Sequence, residues 1–148
     1  MVCTFSGHRK IYNQKEIEPI LRSTLVDLVE RQGAAKFYFG NHGDFDSMVQ
    51  RVLAELSIVY PITCYIVLAY LPGEKKREEK PYKLATILPD EIERVPKRVA
   101  ILFRNNWMLR QADCVITYVS HDIGNGSARF KTLAEKQGKK VIELSQSL

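Results

Sequence analysis

TCYIVLAY, residues 63–70, is an unbroken apolar run rich in β-branched and aromatic side chains. A half-buried strand alternates apolar with polar positions. A continuous run of this length instead belongs to a strand covered on both faces, the situation of a parallel sheet sandwiched between helices. The flanking sequence repeats the theme. Upstream lie two further strand-like runs, Val2–Phe5 and KFYFG at 36–40. Downstream lie CVITYV at 114–119 and a last short run at Val141–Leu144. Between them the apolar period changes from two to 3.6. Ile17, Ile20, Leu21, Leu25, Leu28 and Val29 mark one amphipathic helix, closed by Gly33. Phe45, Met48, Val49, Val52, Leu53 and Leu56 mark a second. Val99, Leu102, Phe103 and Trp107 give a third, and residues 127–137 a fourth that ends at Gly138. Strands alternating with helices predict an α/β fold: a single Rossmann-like domain with a mostly parallel sheet of about five strands and helices on both faces.

The boundaries are less evenly marked. Asn13 and Glu16 have capping-box spacing, but a helix begun there would enclose Pro19. The expectation is therefore a short turn at 13–16 and a helix from Ile17 or Glu18, with Pro19 in its first turn. Asp44 is the expected N-cap of the second helix. Residues 72–96 hold four prolines and most of the charge clusters, so a loop is expected there, with room for one short strand near Ala85–Leu88.

Composition bounds the function. The 148 residues are 45% apolar and 26% charged, the proportions of a globular chain rather than a disordered one. The longest apolar run, Ile62–Leu71, is too short to cross a bilayer, and no apolar signal core precedes the first charges. A cytoplasmic protein without membrane partners is expected. Cys3, Cys64 and Cys114 form no C-x-x-C pair, which predicts buried thiols in strands and neither a disulfide frame nor a zinc site. The net charge is +5, and residues 74–110 hold ten Lys/Arg against six Asp/Glu. That balance suits an anionic small ligand. No helix carries a continuous basic face, which argues against nucleic acid.

In open parallel sheets ligands bind beyond the carboxyl ends of the strands, so the segments after each strand are the informative ones. After the first strand come Ser6, Gly7, His8, Arg9 and Lys10, a tight turn followed by donors suited to an anion. After the second come Gly40, Asn41, His42, Gly43, Asp44, Phe45 and Asp46. Two glycines ahead of a helix allow backbone N–H groups to approach a phosphate, and Asp44 or Asp46 could accept from ribose hydroxyls. After the fourth come Ser120, His121, Asp122, Ile123, Gly124, Asn125, Gly126 and Ser127, a second glycine-containing strand-to-helix turn. Arg104 and Asn105, ahead of Trp107, are candidates for a ligand wall. The candidate ligand-binding set is thus Ser6, Gly7, His8, Arg9, Gly40, Gly43, Asp44, Asp46, Arg104, Asn105, Gly124, Gly126 and Ser127. No nucleophile elbow and no H-E-x-x-H is present, and His8, His42 and His121 stand in separate loops. Neither a metal, nor a cofactor, nor a catalytic residue is expected from these patterns.

Taken in order, these motifs resemble the YpsA-like branch of the SLOG superfamily. Cys3-Thr4-Phe5-Ser6-Gly7-His8-Arg9 is similar to its "TGHR" opening, and Gly40 to Asp46 to its glycine-then-"FD" motif. Arg104-Asn105-Asn106-Trp107-Met108 followed by Ala112-Asp113 is similar to its "R-N-x-W-M" helix. Gly124-Asn125-Gly126-Ser127-Ala128, with Ala134, Gly138 and Val141-Ile142, is similar to its closing turn, helix and strand. The resemblance spans almost the whole chain. It implies a bacterial Rossmann-like protein that binds or senses a nucleotide or nucleotide-derived ligand at the glycine loops, with Arg104 or Asn105 lining the same cleft. More distantly, LOG enzymes cleave nucleoside monophosphates at the N-glycosidic bond, using a glutamate in the helix after P-G-G-x-G-T-x-x-E. Here Lys131 stands near that position and the first glutamate is Glu135. This departure weighs against catalysis. An N-glycosidase or deoxyribosyltransferase would need a carboxylate near the anomeric carbon, and Asp44, Asp46 and Asp122 are the acids of the strand-end loops. An interaction domain without a ligand is the remaining alternative, and a spare apolar helix face would favour a homodimer.

Overall fold

The computed structural model describes residues 1–71, 84–120 and 126–148. Six strands, β1 (Val2–Gly7), β2 (Lys36–Phe39), β3 (Thr63–Val67), β4 (Ala85–Ile87), β5 (Cys114–Tyr118) and β6 (Lys140–Glu143), form one sheet. Every pairing is parallel, and the order is β4-β3-β2-β1-β5-β6. The helices are α1 (Gln14–Gln32), α2 (Asp44–Val59), α3 (Lys97–Gln111) and α4 (Gly126–Lys136). The fold is α/β and Rossmann-like. No helix among the described residues is long and apolar enough to cross a membrane.

Strand alternation sends successive side chains to opposite faces, and each face has its own core. Cys3 and Phe5 of β1, Phe37 and Phe39 of β2, and Cys114, Ile116 and Tyr118 of β5 pack with Ile17, Leu21, Leu25 and Leu28 of α1 and with the buried stripe of α2. On the other face Val115 packs with Leu109 of α3 and with Phe130 and Ala134 of α4. Tyr38 and Val67 there pack with Met108, and the Tyr38 ring meets Trp107 edge-on with centroids 5.2 Å apart. The three cysteines are free and buried on the α1–α2 side. Burial pushes the Cys64 thiol up to about 12. A thiol hydrogen bond to Cys114, its register partner on β5, together with burial raises Cys3.

Four local expectations are corrected. The sheet has six strands rather than about five: β4, at the place where the sequence leaves room for one short strand, adds to the β3 edge. Strand β3 ends at Val67: the Leu68 N–H makes the last bond to β4, at the Ile87 carbonyl, and the run to Tyr70 lies beyond the ladder. Helix α1 begins at Gln14 and encloses Pro19. The lost hydrogen bond of an interior proline, about 3 kcal/mol, is outweighed by the complete burial of Ile17, Leu21, Leu25 and Leu28, each contributing roughly 1.5–3 kcal/mol. Asn13 is the N-cap residue, but its side chain is drawn away: the Tyr118 hydroxyl donates to Asn13 Oδ1 at 3.1 Å. Finally, Gly43 caps α2, and Asp44 is its first helical residue.

Candidate functional site

Strand order reverses between β1 and β5. The chain leaves β1 toward β2 and returns on the other side of β1 through β5, so the crossovers diverge and leave a crevice at the carboxyl edge. A cleft of about 570 Å³ occupies this place. Nine of the sequence candidates line it: Ser6, Gly7, His8, Arg9, Asp46, Arg104, Asn105, Gly126 and Ser127. Gly40, Gly43 and Asp44 do not. Gly124 lies outside the described residues, as do His121 and Asp122. Lys10, Tyr12, His42, Phe5, Ile101 and Met108 complete the wall. The α3 contribution, Ile101, Arg104, Asn105 and Met108, falls at i, i+3, i+4 and i+7 and is therefore one helical face. That spacing would have found Ile101 and Met108 from sequence.

Three of these glycines, Gly7, Gly40 and Gly43, stand where a side chain would collide with neighbouring atoms. They make room for protein atoms. A Cβ on Gly7 would stand 2.4 Å from the Phe45 ring, which is buried under β1. A Cβ on Gly40 would stand 2.7 Å from both Arg104 Nη1 and Asp46 Oδ2. Gly43 has φ 94°, in the left-handed region, and its Cβ would stand 2.7 Å from the Arg9 Cα. The β1–α1 loop is thus pressed against the start of α2. Two hydrogen bonds hold it there: Asp44 N–H donates to the Arg9 carbonyl at 2.8 Å, and the Ile11 N–H donates to Asp44 Oδ2 at 2.9 Å. Asp44 therefore fixes the shape of the neighbouring loop, and it is not among the residues that line the cleft.

Arg104 is 3% exposed. It reaches from α3 across the carboxyl ends of β2 and β3. Its Nε donates to Asn105 Oδ1 at 3.1 Å, and Nη1 is directed at His42 Nδ1, the Val67 carbonyl and Asn41 Oδ1 at 3.3–3.5 Å. None of these partners is an anion. Burial lowers the Arg104 pKa, Asp46 and Tyr70 oppose that shift, and the positive charge of Arg9 adds to it. Arg104 Nη2 enters no hydrogen bond among the described residues, and no buried side-chain nitrogen or oxygen there lacks a partner. Arg104 is one of the residues that line the cleft. Asp46, itself largely buried, accepts the His42 N–H at 3.0 Å and lies beside the guanidinium.

Both histidines of the cleft are held in defined tautomers. A guanidinium can only donate, so His42 Nδ1 is an acceptor and its Nε2 carries the hydrogen toward the Tyr70 oxygen, 3.0 Å away. Burial, then the charges of Arg104 and Arg9, lower the His42 pKa and keep the ring neutral. His8 Nε2 accepts the Ser120 N–H at 3.0 Å, so its Nδ1 is the protonated nitrogen. The two rings are thus engaged in shaping the loops.

Behind the β5 loop a buried carboxylate secures the strand ends. Glu143, 8% exposed, accepts from the Thr117 hydroxyl at 2.8 Å, from the Val119 N–H through both oxygens at 3.1 Å, from the Ser145 N–H at 3.0 Å and from Lys131 Nζ at 3.2 Å. Lys131 is thereby held by a structural partner. Burial alone would raise the Glu143 pKa, but the bonds from Ser145, Thr117 and Val119 outweigh it and hold it below 4.5. A lowered carboxylate pKa contributes stability above its unfolded value that is lost as pH falls through the folded value. Glu143→Gln should therefore cost about 1–3 kcal/mol at pH 7, with the gap to wild type narrowing below pH 4.5. Denaturant melts of both proteins across this range check it; a gap independent of pH would contradict the assignment.

No family model and no curated protein sequence matches the chain.

Proposed function

We propose that the protein binds a nucleotide or nucleotide-derived small molecule in the cleft between β1 and β5, in the manner expected of a SLOG-type ligand-binding or sensing protein. The observation that carries this reading is Arg104, a buried guanidinium that lines the cleft at the topological switch point and whose hydrogen-bonding partners are neutral. A buried cation of this kind favours an anion that can take a forked pair of hydrogen bonds, as a phosphate does. Arg9 and Lys10, both exposed on the rim, add charge to the same end. The motif order resembling the YpsA-like branch supports the same conclusion independently of the geometry.

The test is calorimetric titration of wild type and Arg9→Ala with a panel of nucleotides, beside their thermal melts. Arg9→Ala should weaken binding by about 1.5–3 kcal/mol, the range for hydrogen bonds to charged groups, with an unchanged melting temperature because Arg9 is exposed. Equal affinities for the two proteins, or no nucleotide bound by wild type, would sink the reading. An N-glycosidase reading rests on Asp46, the one carboxylate that lines the cleft among the described residues. Asp46 is engaged with the His42 N–H and stands beside Arg104, an arrangement suited to positioning rather than attack. Release of free base from AMP during the same titrations would restore the enzyme reading.

A further inference from the structure

The rim of the cleft carries a feature that anion binding leaves unexplained. Tyr12 lines the cleft yet is 93% exposed, and among the described residues no hydrogen bond or ring contact engages it. The other apolar side chains of the wall are Phe5 and Met108, each 2% exposed, and the half-buried Ile101. Among the described residues, Tyr12 is therefore the one tyrosine or phenylalanine of the wall that offers its face to solvent.

Its backbone, in contrast, is held on both sides. Ile11 is 5% exposed, belongs to the main core, and has its N–H on Asp44 and its carbonyl on Gln14 Nε2. Asn13 accepts the Tyr118 hydroxyl through its side chain, and its carbonyl accepts the first N–H bonds of α1. An aromatic ring on a pinned backbone, beside Arg9 and Lys10 and at the mouth of a cleft, is what base stacking requires. The flat face is sequence-tolerant, and little backbone ordering is needed on binding.

We infer that Tyr12 is the stacking platform for the planar base of the ligand, so that the cleft takes an intact nucleotide rather than a bare sugar phosphate. This rests on the nucleotide reading above and narrows it: the anionic end goes to Arg104 and Arg9, and the base lies on the Tyr12 ring. The geometry divides the ligand between two separate groups of residues, and substitutions should separate them.

The experiment titrates wild type, Tyr12→Ala and Tyr12→Phe with the four 5′-nucleoside monophosphates and with ribose 5-phosphate. Wild type should bind at least one monophosphate about ten-fold more tightly than ribose 5-phosphate, the scale of one stacked base. Tyr12→Ala should erase that margin while leaving ribose 5-phosphate affinity unchanged, and Tyr12→Phe should keep it. A margin that survives in Tyr12→Ala overturns the platform and leaves nucleotide binding standing. A wild type that binds ribose 5-phosphate as tightly as every monophosphate also overturns the platform, and leaves only an anion site. If wild type binds none of the five compounds, the nucleotide reading itself falls.

Discussion

Arg104→Leu should lose nucleotide binding altogether and about 3 kcal/mol or more of stability, the largest joint effect expected of any single substitution in this chain. Both losses have the same physical origin. The guanidinium is 3% exposed and stands beside the Asp46 carboxylate at the point that Gly40 leaves open. Leucine fills the volume but leaves Asp46 without its neighbouring cation and the Val67 carbonyl without its donor. The two groups are not hydrogen-bonded partners but act on each other through charge, and removing one buried charge leaves the other desolvated at a cost of about 3 kcal/mol. If that is the cause, Asp46→Asn should cost less in the Arg104→Leu background than in wild type, and chemical melts of the four proteins give the coupling directly. Additive stability losses would show that Arg104 and Asp46 do not support one another. Arg104→Lys should restore part of the stability but not the binding, since an ammonium lacks the planar fork.

Gly43→Ala should be the most damaging single-methyl change. With φ 94° and ψ 177° Gly43 lies in a region essentially limited to glycine, which costs a residue with a Cβ about 1–3 kcal/mol. The new Cβ would also stand 2.7 Å from a backbone atom, the Arg9 Cα, which cannot rotate away as a side-chain tip can. Together these predict a loss of about 3 kcal/mol. Gly33→Ala is the internal control. Gly33 has φ 75° at the end of α1, but nothing lies within 4 Å of its Cβ position, so only the backbone term of about 1 kcal/mol should appear. Thermal melts of the two variants separate close approach from conformational strain. Equal destabilisation would mean that the Arg9 contact relaxes freely. Because Arg9 moves with that contact, Gly43→Ala should weaken nucleotide binding as well, whereas Gly33→Ala should not.

Much of the architecture is legible from residue order because each face of the sheet is filled by a regular period. The two-residue alternation of Phe37, Tyr38 and Phe39 and the helical stripe of α2 are both direct consequences of burial. What local pattern cannot supply are choices decided by distant residues. Asn13 has the look of an ordinary cap, yet Tyr118 claims its side chain. Pro19 argues for a later helix start, yet the buried stripe of α1 carries the helix through it. Strand β4 is three residues long with two of them exposed, so its place in the sheet depends on an edge of β3 that the local sequence does not reveal.

The site is legible in the same partial way. Residues following β1 and those on the Arg104 face of α3 can be found from position and type. The β2–α2 glycines are found by type, but the clearance they give Arg104, Asp46 and Arg9 depends on residues distant in sequence and is not readable locally. Tyr12 and His42 escape a reading by pattern, because an exposed tyrosine and a loop histidine have no periodicity. Only the position of the cleft singles them out.

The place of β1 between β2 and β5 also sets the order in which the molecule can be assembled. As the chain is made, β1 to β4 can associate with one another as soon as they appear, but the other edge of β1 stays open until β5 follows. An unpaired parallel edge is both slow to satisfy and prone to capture by other chains, because closing it means bringing together segments far apart in sequence. The crevice that holds Arg9 and Arg104 is one of the last features to exist. The cleft is therefore formed only in a molecule whose two halves of the sheet have already met along β1.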